Sequence, residues 1–422
     1  MKKIKPNRTV CLLFHIHQPF RLKTYRFFNI GIDRHYYDEE NNKTILRRIA
    51  LNCYLPANEL IMNLIKKYGK DFKVTFGISG MAIEQLKKYA PRVLDSFRRL
   101  YETGNIEIVA QSQAYSLPML TSPFEYKTQV EKHIQTIVNT FGCKPVSFMN
   151  ANLLYSNQTA EFAHQMGFAT ILSEGAKQAL GWKSPDYVYS CKAHPEIKLL
   201  LRHSQLSDDI TFRYSMRGWN QWPLTPEKYT SWLNELDPEE QVVNLFMDYG
   251  TFGEYQNATT GIFRFMSAFI DKAIGSGKWI FRTVSEVAEK AEPSDTLDIP
   301  QYISWADQDR DVSAWLGNEL QQEAANTLYS AAETMENCED PDLLSDWYRL
   351  QTCDHFYYMT TKYLKEKSMY NFFSPYSSPY EAFVNYMNVV SDFLIRVNEY
   401  AGKLALKNLL QREHDQYQLI TI

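Results

Sequence analysis

The strongest constraint on the fold of this chain is the alternation of short apolar segments with amphipathic ones over the first 290 or so residues. Eight of the apolar segments are rich in β-branched and aromatic residues and are mostly apolar on both faces. That pattern is typical of parallel strands buried on both sides of a sheet. The predicted strands cover residues 9–16, 74–79, 106–111, 146–152, 169–174, 198–204, 242–249 and 279–285.

The amphipathic segments between the predicted strands place apolar residues three or four positions apart and often end at glycine, as helices do. Seven or eight consecutive β-α units predict a (β/α) barrel, either complete or lacking one strand. From about residue 311 the strand pattern disappears, and residues 311–338, 342–364 and 378–410 read as long amphipathic helices. We therefore predict an α/β chain with a barrel over residues 1–295 and a C-terminal helical bundle over residues 296–422.

Composition excludes several classes of partner. The net charge is −4, and acidic and basic residues are well mixed, so no basic stripe for nucleic acid is present. No segment reaches the roughly 18 apolar residues that a membrane span requires, and Pro6 and Arg8 interrupt the apolar stretch near the start. The six cysteines show no zinc-type spacing, which favours free thiols and a cytoplasmic location. We expect no cofactor, and nothing indicates the oligomeric state.

Polar side chains follow several predicted strands, at the end where (β/α) barrels carry their chemistry. His15 and His17 share one face of the first strand, and Asp248 ends the strand at 242–249. Two histidines in this spacing could begin a metal site, but no H-x-x-x-H or Asp-Asp partner lies nearby, so we predict no metal. Asp248 is either a buried general acid or a cap on the following loop.

Taken together, these segments resemble glycoside hydrolase family 57, in particular its intracellular α-amylase-like group. His17, Gln18 and Pro19 match the family's His-Gln-Pro motif, and residues 303–318 (ISWADQDRDVSAWLGN) match its fifth motif, with Trp305 and Asp307 at cleft positions. The resemblance runs from residue 9 to about residue 393. It implies an incomplete, seven-stranded TIM-like barrel followed by a helical domain, and α-glucan as the partner.

The sequence departs from the family pattern where catalysis is expected. Residues 148–155 (FMNANLLY) stand where the family usually has FRNTELIY, so the nucleophile position holds Asn152. The acid/base position survives as Asp248, but Gly250 and Tyr255 replace a Glu and a His. In the second motif, residues 111–115 (QSQAY) lack another acid and another His.

A retaining glycosidase needs one carboxyl group as acid and another as nucleophile. We therefore predict a homologue that binds glycogen, starch or maltooligosaccharides, or acts beside active enzymes, without hydrolysing them. The resemblance and the aromatic content point to a common set of contacts. The predicted contacts are His15, His17, Trp182, Trp219, Trp222, Trp305 and Asp307.

Two alternatives stay open from the sequence. One is an active glycoside hydrolase or glucanotransferase that pairs Asp248 with Glu254, Asp307 or Glu174. The other is a metal-dependent, deacetylase-like barrel, since histidines at strand ends suit that class.

Overall fold

The structure is a computed structural model that describes residues 8–362 and 374–420, without the side chains of residues 408 and 411–420. The chain divides into two compact units. The barrel unit comprises the residues up to Gln18, Glu40–Tyr115 and Gln129–Val312. The helical unit comprises Pro19–Glu39, Ser116–Thr128 and the residues from Ser313 onward.

The strands of the barrel unit include all eight that the sequence predicts. Their bounds are β1 (Arg8–Ile16), β2 (Val74–Ile78), β3 (Ile106–Ile108), β4 (Ser147–Met149), β5 (Thr170–Glu174), β6 (Val188–Cys191), β7 (Lys198–Arg202), β8 (Val242–Asp248), β9 (Trp279–Phe281) and β10 (Asp295–Leu297).

Parallel pairing arranges these strands in a ring. β1 pairs with β2 and β8, β2 pairs with β3, and β5 lies between β4 and β7. A bridge between Ala110 and Phe148 joins β3 to β4. Between β7 and β8, Asn244 Nδ2 donates to the Leu201 carbonyl at 2.9 Å, and His203 N donates to the Asn244 carbonyl at 2.9 Å. Within the described residues the order β1-β2-β3-β4-β5-β7-β8 confirms the predicted incomplete barrel.

Three further strands lie beside the ring. β9 pairs with β1 in parallel, β6 pairs with β7 in antiparallel orientation, and β10 extends that sheet beyond β6. The sequence pattern predicts β9 but gives no signal for β6 and β10, which are only four and three residues long.

Helices connect the strands and make up the helical unit. Their bounds are α1 (Glu39–Ile49), α2 (Leu55–Tyr68), α3 (Gly80–Tyr89), α4 (Pro91–Tyr101), α5 (Pro123–Phe141), α6 (Asn157–Gln165), α7 (Lys177–Leu180), α8 (Ser204–Asp208), α9 (Pro226–Glu235), α10 (Ile262–Gly275), α11 (Val284–Lys290), α12 (Ser313–Leu316), α13 (Glu319–Tyr329), α14 (Ala332–Glu336), α15 (Pro341–Leu350), α16 (Cys353–Tyr357) and α17 (Pro379–Ile420). The last two residues of the helix predicted at 342–364 lie outside the described residues. None of the described helices combines the length and apolar character that crossing a bilayer requires.

Helix starts follow local chemistry. Ser79 Oγ accepts from Ala82 N at 3.1 Å at the start of α3. Asp340 Oδ1 accepts from the backbone N–H groups of Asp342 and Leu343 at 2.9 and 3.0 Å, and Pro341 occupies the first turn of α15. These side chains satisfy backbone donors that have no partner inside the helix.

The helical unit packs around aromatic side chains. The rings of Trp347 and Phe393 stack with centroids 6.2 Å apart, and Tyr329 meets Trp347 edge-on at 5.7 Å. Nearby, an Arg396 nitrogen lies 2.6 Å from Asp346 Oδ2, so α15 and α17 are also joined by a largely buried ion pair.

Two hydrophobic clusters explain why β1 is apolar on both faces. Val10, Leu12, Phe14 and Ile16 pack outward against the helices. The alternate residues pack inward with the interior side chains of the other strands. This interior cluster includes Cys11, Leu13, Val109, Met149, Leu172, Leu200, Val242 and Phe246. The period of two follows from the pleat of the strand.

Candidate functional site

The inward-facing rows of the barrel end in polar side chains. Continuing the period of two along four strands places His15 after Leu13, Glu174 after Leu172, Arg202 after Leu200 and Asp248 after Phe246. In register, His15 lies opposite Asp248 and Glu174 lies opposite Arg202. The C-terminal mouth of the barrel is therefore lined with ionisable groups above an apolar interior.

Three aromatic rings form a stack at this mouth. The Tyr115 ring packs against His15 with centroids 4.4 Å apart and against His17 at 4.5 Å. His17 Nδ1 shares a hydrogen bond of 2.7 Å with Ser79 Oγ, the residue that caps α3. Gly77 makes room for Met149 below the stack, since a Cβ there would lie 2.7 Å from the Met149 methyl carbon but at an ordinary contact distance of 3.5 Å from the His15 ring.

Asn152 is held between two of the site's aromatic residues. The Tyr115 hydroxyl donates to Asn152 Oδ1 at 3.2 Å and accepts from the Asn152 backbone N–H at 3.1 Å. Trp305 Nε1 donates to the same Oδ1 at 3.0 Å, and the Trp305 backbone N–H donates to the Asn152 carbonyl at 3.2 Å. The carboxamide is 5% exposed and fixed by donors on two sides.

Unusual backbone conformations concentrate in the same region. Among the described residues other than glycine, the left-handed positions are Tyr115, Asn152, Leu153, Asp307 and Arg310, with φ between 45° and 57°. Each such residue costs on the order of 1–3 kcal/mol, and such strain is typical of functional sites. The strain lies in the segments that carry Tyr115, Asn152 and Trp305.

A buried, charge-balanced ionic cluster supports the mouth. Glu174 is fully buried, and its Oε2 lies 3.3 Å from Arg202. Arg202 also pairs with Asp208 and donates to the Phe246 carbonyl at 2.8 Å. Arg310 lies 3.7 Å from Glu174 and 3.8 Å from Asp208, and it donates to the Trp305 carbonyl. The cluster thus ties the turn after Trp305 to the strands.

Asp248 is half-buried at the end of β8. Its Oδ1 accepts from the Gly250 backbone N–H at 2.6 Å, which caps the turn that follows the strand. A Cβ at Gly250 would lie 2.7 Å from Asp248 Oδ1 and 3.6 Å from the Tyr255 ring. Phe212 stacks on Tyr255 with centroids 6.3 Å apart. A longer side chain at position 250 would therefore meet both neighbours.

The other predicted contact residues have differing environments. Trp182 is 92% exposed and Trp222 is 44% exposed. Trp219 packs against Trp232, with centroids 6.1 Å apart, beside the outer cluster between helices and sheet. Asp307 Oδ1 accepts from Asp309 N at 2.9 Å inside the strained turn. Ring contacts and hydrogen bonds join Tyr115 to His15, His17 and Asn152, and Asn152 to Trp305. Among the described residues, no such contact joins the other three tryptophans to this group.

The segment at 111–115 contributes Tyr115 to the mouth, while its two glutamines are buried. Gln113 Oε1 accepts from the Thr136 hydroxyl at 3.1 Å. Gln111 is fully buried and follows the inward row of β3, and within the described residues neither atom of its side-chain amide has a hydrogen-bond partner. Its backbone N–H donates to His133 Nδ1 at 3.3 Å.

The sequence suggests Glu174 only as a candidate base, and no motif in it points to Arg202, Asp208 or Arg310 as its partners. The period of two in β7 was a usable signal for Arg202, because it places that arginine on the same face as Leu200. No sequence signal marked Tyr115 as the partner of Asn152.

Comparisons with known proteins agree with this architecture. Residues 11–300 match Glycosyl hydrolase family 57. A protein of Methanocaldococcus jannaschii named "Putative alpha-amylase" is 36% identical over 417 residues, covering 96% of this chain and 88% of that protein.

Solved structures show the same fold at low sequence identity. The 4-alpha-glucanotransferase of Thermococcus litoralis is 16% identical with a TM-score of 0.62 over 83% of this chain, which spans only 56% of that protein. A GH57 branching enzyme of Thermococcus kodakaraensis is 13% identical with a TM-score of 0.63, covering 85% of this chain and 87% of that one. From the family match and the 36% identity, we conclude that the chain belongs to glycosyl hydrolase family 57.

Proposed function

We propose that this chain binds α-glucan, as glycogen, starch or maltooligosaccharide, at the C-terminal mouth of its barrel, and that it does not hydrolyse glycosidic bonds by the retaining route. The carbohydrate class rests on family membership and on relatives named as amylase, glucanotransferase and branching enzyme. The loss of hydrolysis rests on one observation, the environment of Asn152.

A carboxamide at position 152 lacks the chemistry of a nucleophile. A retaining enzyme forms a covalent glycosyl intermediate on a carboxylate, whose charge also stabilises the oxocarbenium-like transition state. The Asn152 side chain is neutral, and its Oδ1 already accepts from the Tyr115 hydroxyl and Trp305 Nε1. Removing one member of a cooperating catalytic set costs about 10⁴-fold or more in rate.

The carboxylates that could replace the nucleophile have other partners. Glu174 lies in the buried ionic cluster with Arg202 and Arg310. Glu254 is 2.9 Å from Arg48, and burial raises its pKa while that arginine opposes the shift. Asp307 caps its own turn. These contacts support binding over an inverting reaction of Asp248 with one of the three.

The mouth offers suitable surfaces for a sugar. The stack of Tyr115 with His15 and His17 presents ring faces and edges, and Trp305 is half-buried above the interior cluster. Ligand sites of this kind combine aromatic side chains with a few fixed polar groups. Trp182 and Trp222 are exposed enough to contact a longer glucan. We also propose a cytoplasmic location, which the burial of five of the six cysteines supports.

Calorimetry with maltooligosaccharides tests the binding proposal. We expect the wild type to bind and Trp305→Phe to bind more weakly, because it loses the Nε1 donor that orients Asn152. Trp232→Phe is the matched control, since Trp232 is half-buried against Trp219 and Tyr229, is not among the predicted contacts, and should leave affinity unchanged. Absence of heat from the wild type at millimolar ligand would contradict the proposal.

A reducing-sugar assay on glycogen tests the loss of hydrolysis. We expect no sugar release from the wild type, and Asp248→Asn controls for contaminating activity. Release that disappears in Asp248→Asn would show an active enzyme that uses this aspartate, and it would refute the non-hydrolytic proposal.

A further inference from the structure

A group of metal-ligating side chains lies away from the barrel mouth. His164 belongs to the last turn of α6, and His194 and Glu196 lie in the segment between β6 and β7. Their imidazole rings stack with centroids 4.1 Å apart and planes inclined by 13°. A helix and a separate loop thus bring two histidines and a carboxylate together on the surface of the barrel unit.

The donor atoms converge on one point. His164 Nδ1 lies 2.8 Å and His194 Nδ1 lies 3.3 Å from the same atom, Glu196 Oε1. The potential ligand atoms of the three residues all lie within 4.8 Å of one another. In a tetrahedral zinc site with bond lengths of about 2.0–2.1 Å, ligand atoms are separated by about 3.3 Å. Because the two rings lie nearly parallel, they must rotate about their χ2 angles to aim both Nδ1 lone pairs at one ion.

A second carboxylate orients one of the histidines. Glu161 Oε2 lies 2.6 Å from His194 Nε2, the ring nitrogen that faces away from Glu196. Accepting a hydrogen bond from Nε2–H leaves the lone pair of a neutral imidazole on Nδ1. Metal-binding histidines usually donate their other nitrogen to a carboxylate in this way. Glu161 and His164 are three residues apart on α6, so they lie on the same face of the helix.

Exposure at the group is suited to an open coordination position. The side chains of His164 and Glu196 are 49% and 57% exposed, whereas His194 is 17% exposed. Two imidazole nitrogens and one carboxylate oxygen form a ligand set found in zinc sites, with water as the fourth ligand. The sequence gives no signal for such a site, because positions 164, 194 and 196 do not have the close spacing of a ligand motif.

We propose that His164 and His194, each through Nδ1, and Glu196 bind one Zn²⁺ ion, with Glu161 orienting His194. The ion joins the end of α6 to the loop before β7 and thereby stabilises this side of the barrel. This site is independent of the proposed glucan binding, since none of its residues contacts the mouth residues described above.

Calorimetric titration of the full, untagged, metal-free chain with ZnCl₂ tests the proposal. We expect one equivalent to bind to the wild type, and His164→Ala and His194→Ala each to weaken binding at least tenfold. Glu161→Gln should weaken it by about tenfold, as is usual for a group that orients a ligand. His35→Ala is the matched control, because His35 is exposed and belongs to the helical unit, and its affinity should equal that of the wild type.

Two further measurements make the result decisive. Circular dichroism establishes that each variant is folded, which is expected because His164 and Glu196 lie at the surface. Co²⁺ in place of Zn²⁺ should give the visible absorption of a tetrahedral site in the wild type but not in His194→Ala. Absence of binding to the wild type, or wild-type affinity in both alanine variants, would overturn the proposal.

Discussion

Replacing Gln111 by leucine should stabilise the protein. Gln111 is fully buried just after β3, on the side that faces the barrel interior. Neither atom of its side-chain amide has a hydrogen-bond partner among the described residues. An unsatisfied buried polar group costs about 1–3 kcal/mol, while an apolar replacement of similar shape avoids that cost. Leucine is close to glutamine in volume, so packing changes little. We expect the free energy of unfolding to rise by about 1–2 kcal/mol.

Gln113→Leu is the matched control. Gln113 is almost as buried, but its Oε1 accepts from Thr136, so the same substitution removes a hydrogen bond, leaves the Thr136 hydroxyl only the Lys132 carbonyl as acceptor, and should lower stability by about 0.5–1 kcal/mol. Urea denaturation of the two variants measures the opposite signs. If Gln111→Leu is destabilised as much as Gln113→Leu, the Gln111 amide makes a favourable interaction and the reasoning is wrong.

Three other changes test separate parts of the structure. Asn152→Glu should release no maltooligosaccharide above the wild-type background, because Gly250 and Tyr255 stand where the family pattern has a supporting Glu and His. Release of sugar would show that the remaining cleft is competent. Arg202→Met should lower the free energy of unfolding by about 3 kcal/mol, because buried Glu174 loses its ion pair at 3.3 Å and keeps the longer one to Arg310 at 3.7 Å. An unchanged denaturation midpoint would contradict this. Asp340→Ala should cost about 1 kcal/mol by removing the cap of α15, and a smaller loss than in an exposed control variant would contradict that role.

The barrel could be predicted from the sequence because buried parallel strands have a simple signature. The predicted strand at 9–16 is mostly apolar on both faces, and in β1 of the structure one face lies toward the barrel interior and the other toward the helices. β6 and β10 gave no comparable signal, since short strands beside a ring depend on long-range pairing more than on their own residues.

The candidate site was predictable only in part. His15 and Asp248 follow from the period of two and from the position of strand ends. Asn152 contacts Tyr115 and Trp305, which lie 37 and 153 residues away in the sequence. Tyr115 and Asn152 also have left-handed backbone conformations that residues other than glycine rarely adopt. Composition and periodicity carry no information about such contacts. The same limit applies to the packing of Trp219 against Trp232, which the sequence does not indicate.

His133 should make the protein less stable in mild acid. It is fully buried, its Nε2 lies 2.8 Å from the Ile78 carbonyl, and its Nδ1 accepts from the Gln111 N–H, so the neutral ring with hydrogen on Nε2 satisfies both neighbours. Burial lowers the pKa of His133 to about 4. The unfolded chain, with a pKa of about 6.5, therefore binds a proton first as the pH falls, and stability contributed by the neutral ring is lost between about pH 6.5 and pH 4.

At pH 5 the loss relative to neutral pH amounts to about 2 kcal/mol, from 1.36 kcal/mol per pH unit over about 1.5 units. Carboxylates also titrate near this range, so the quantity to measure is the difference between the wild type and His133→Gln. Urea denaturation at pH 7 and pH 5 should show a smaller acid-induced loss in His133→Gln by about that amount. Equal losses in the two proteins would mean that folded His133 is already protonated at pH 5. Its pKa would then be close to that of the unfolded chain, and its protonation would not change the stability.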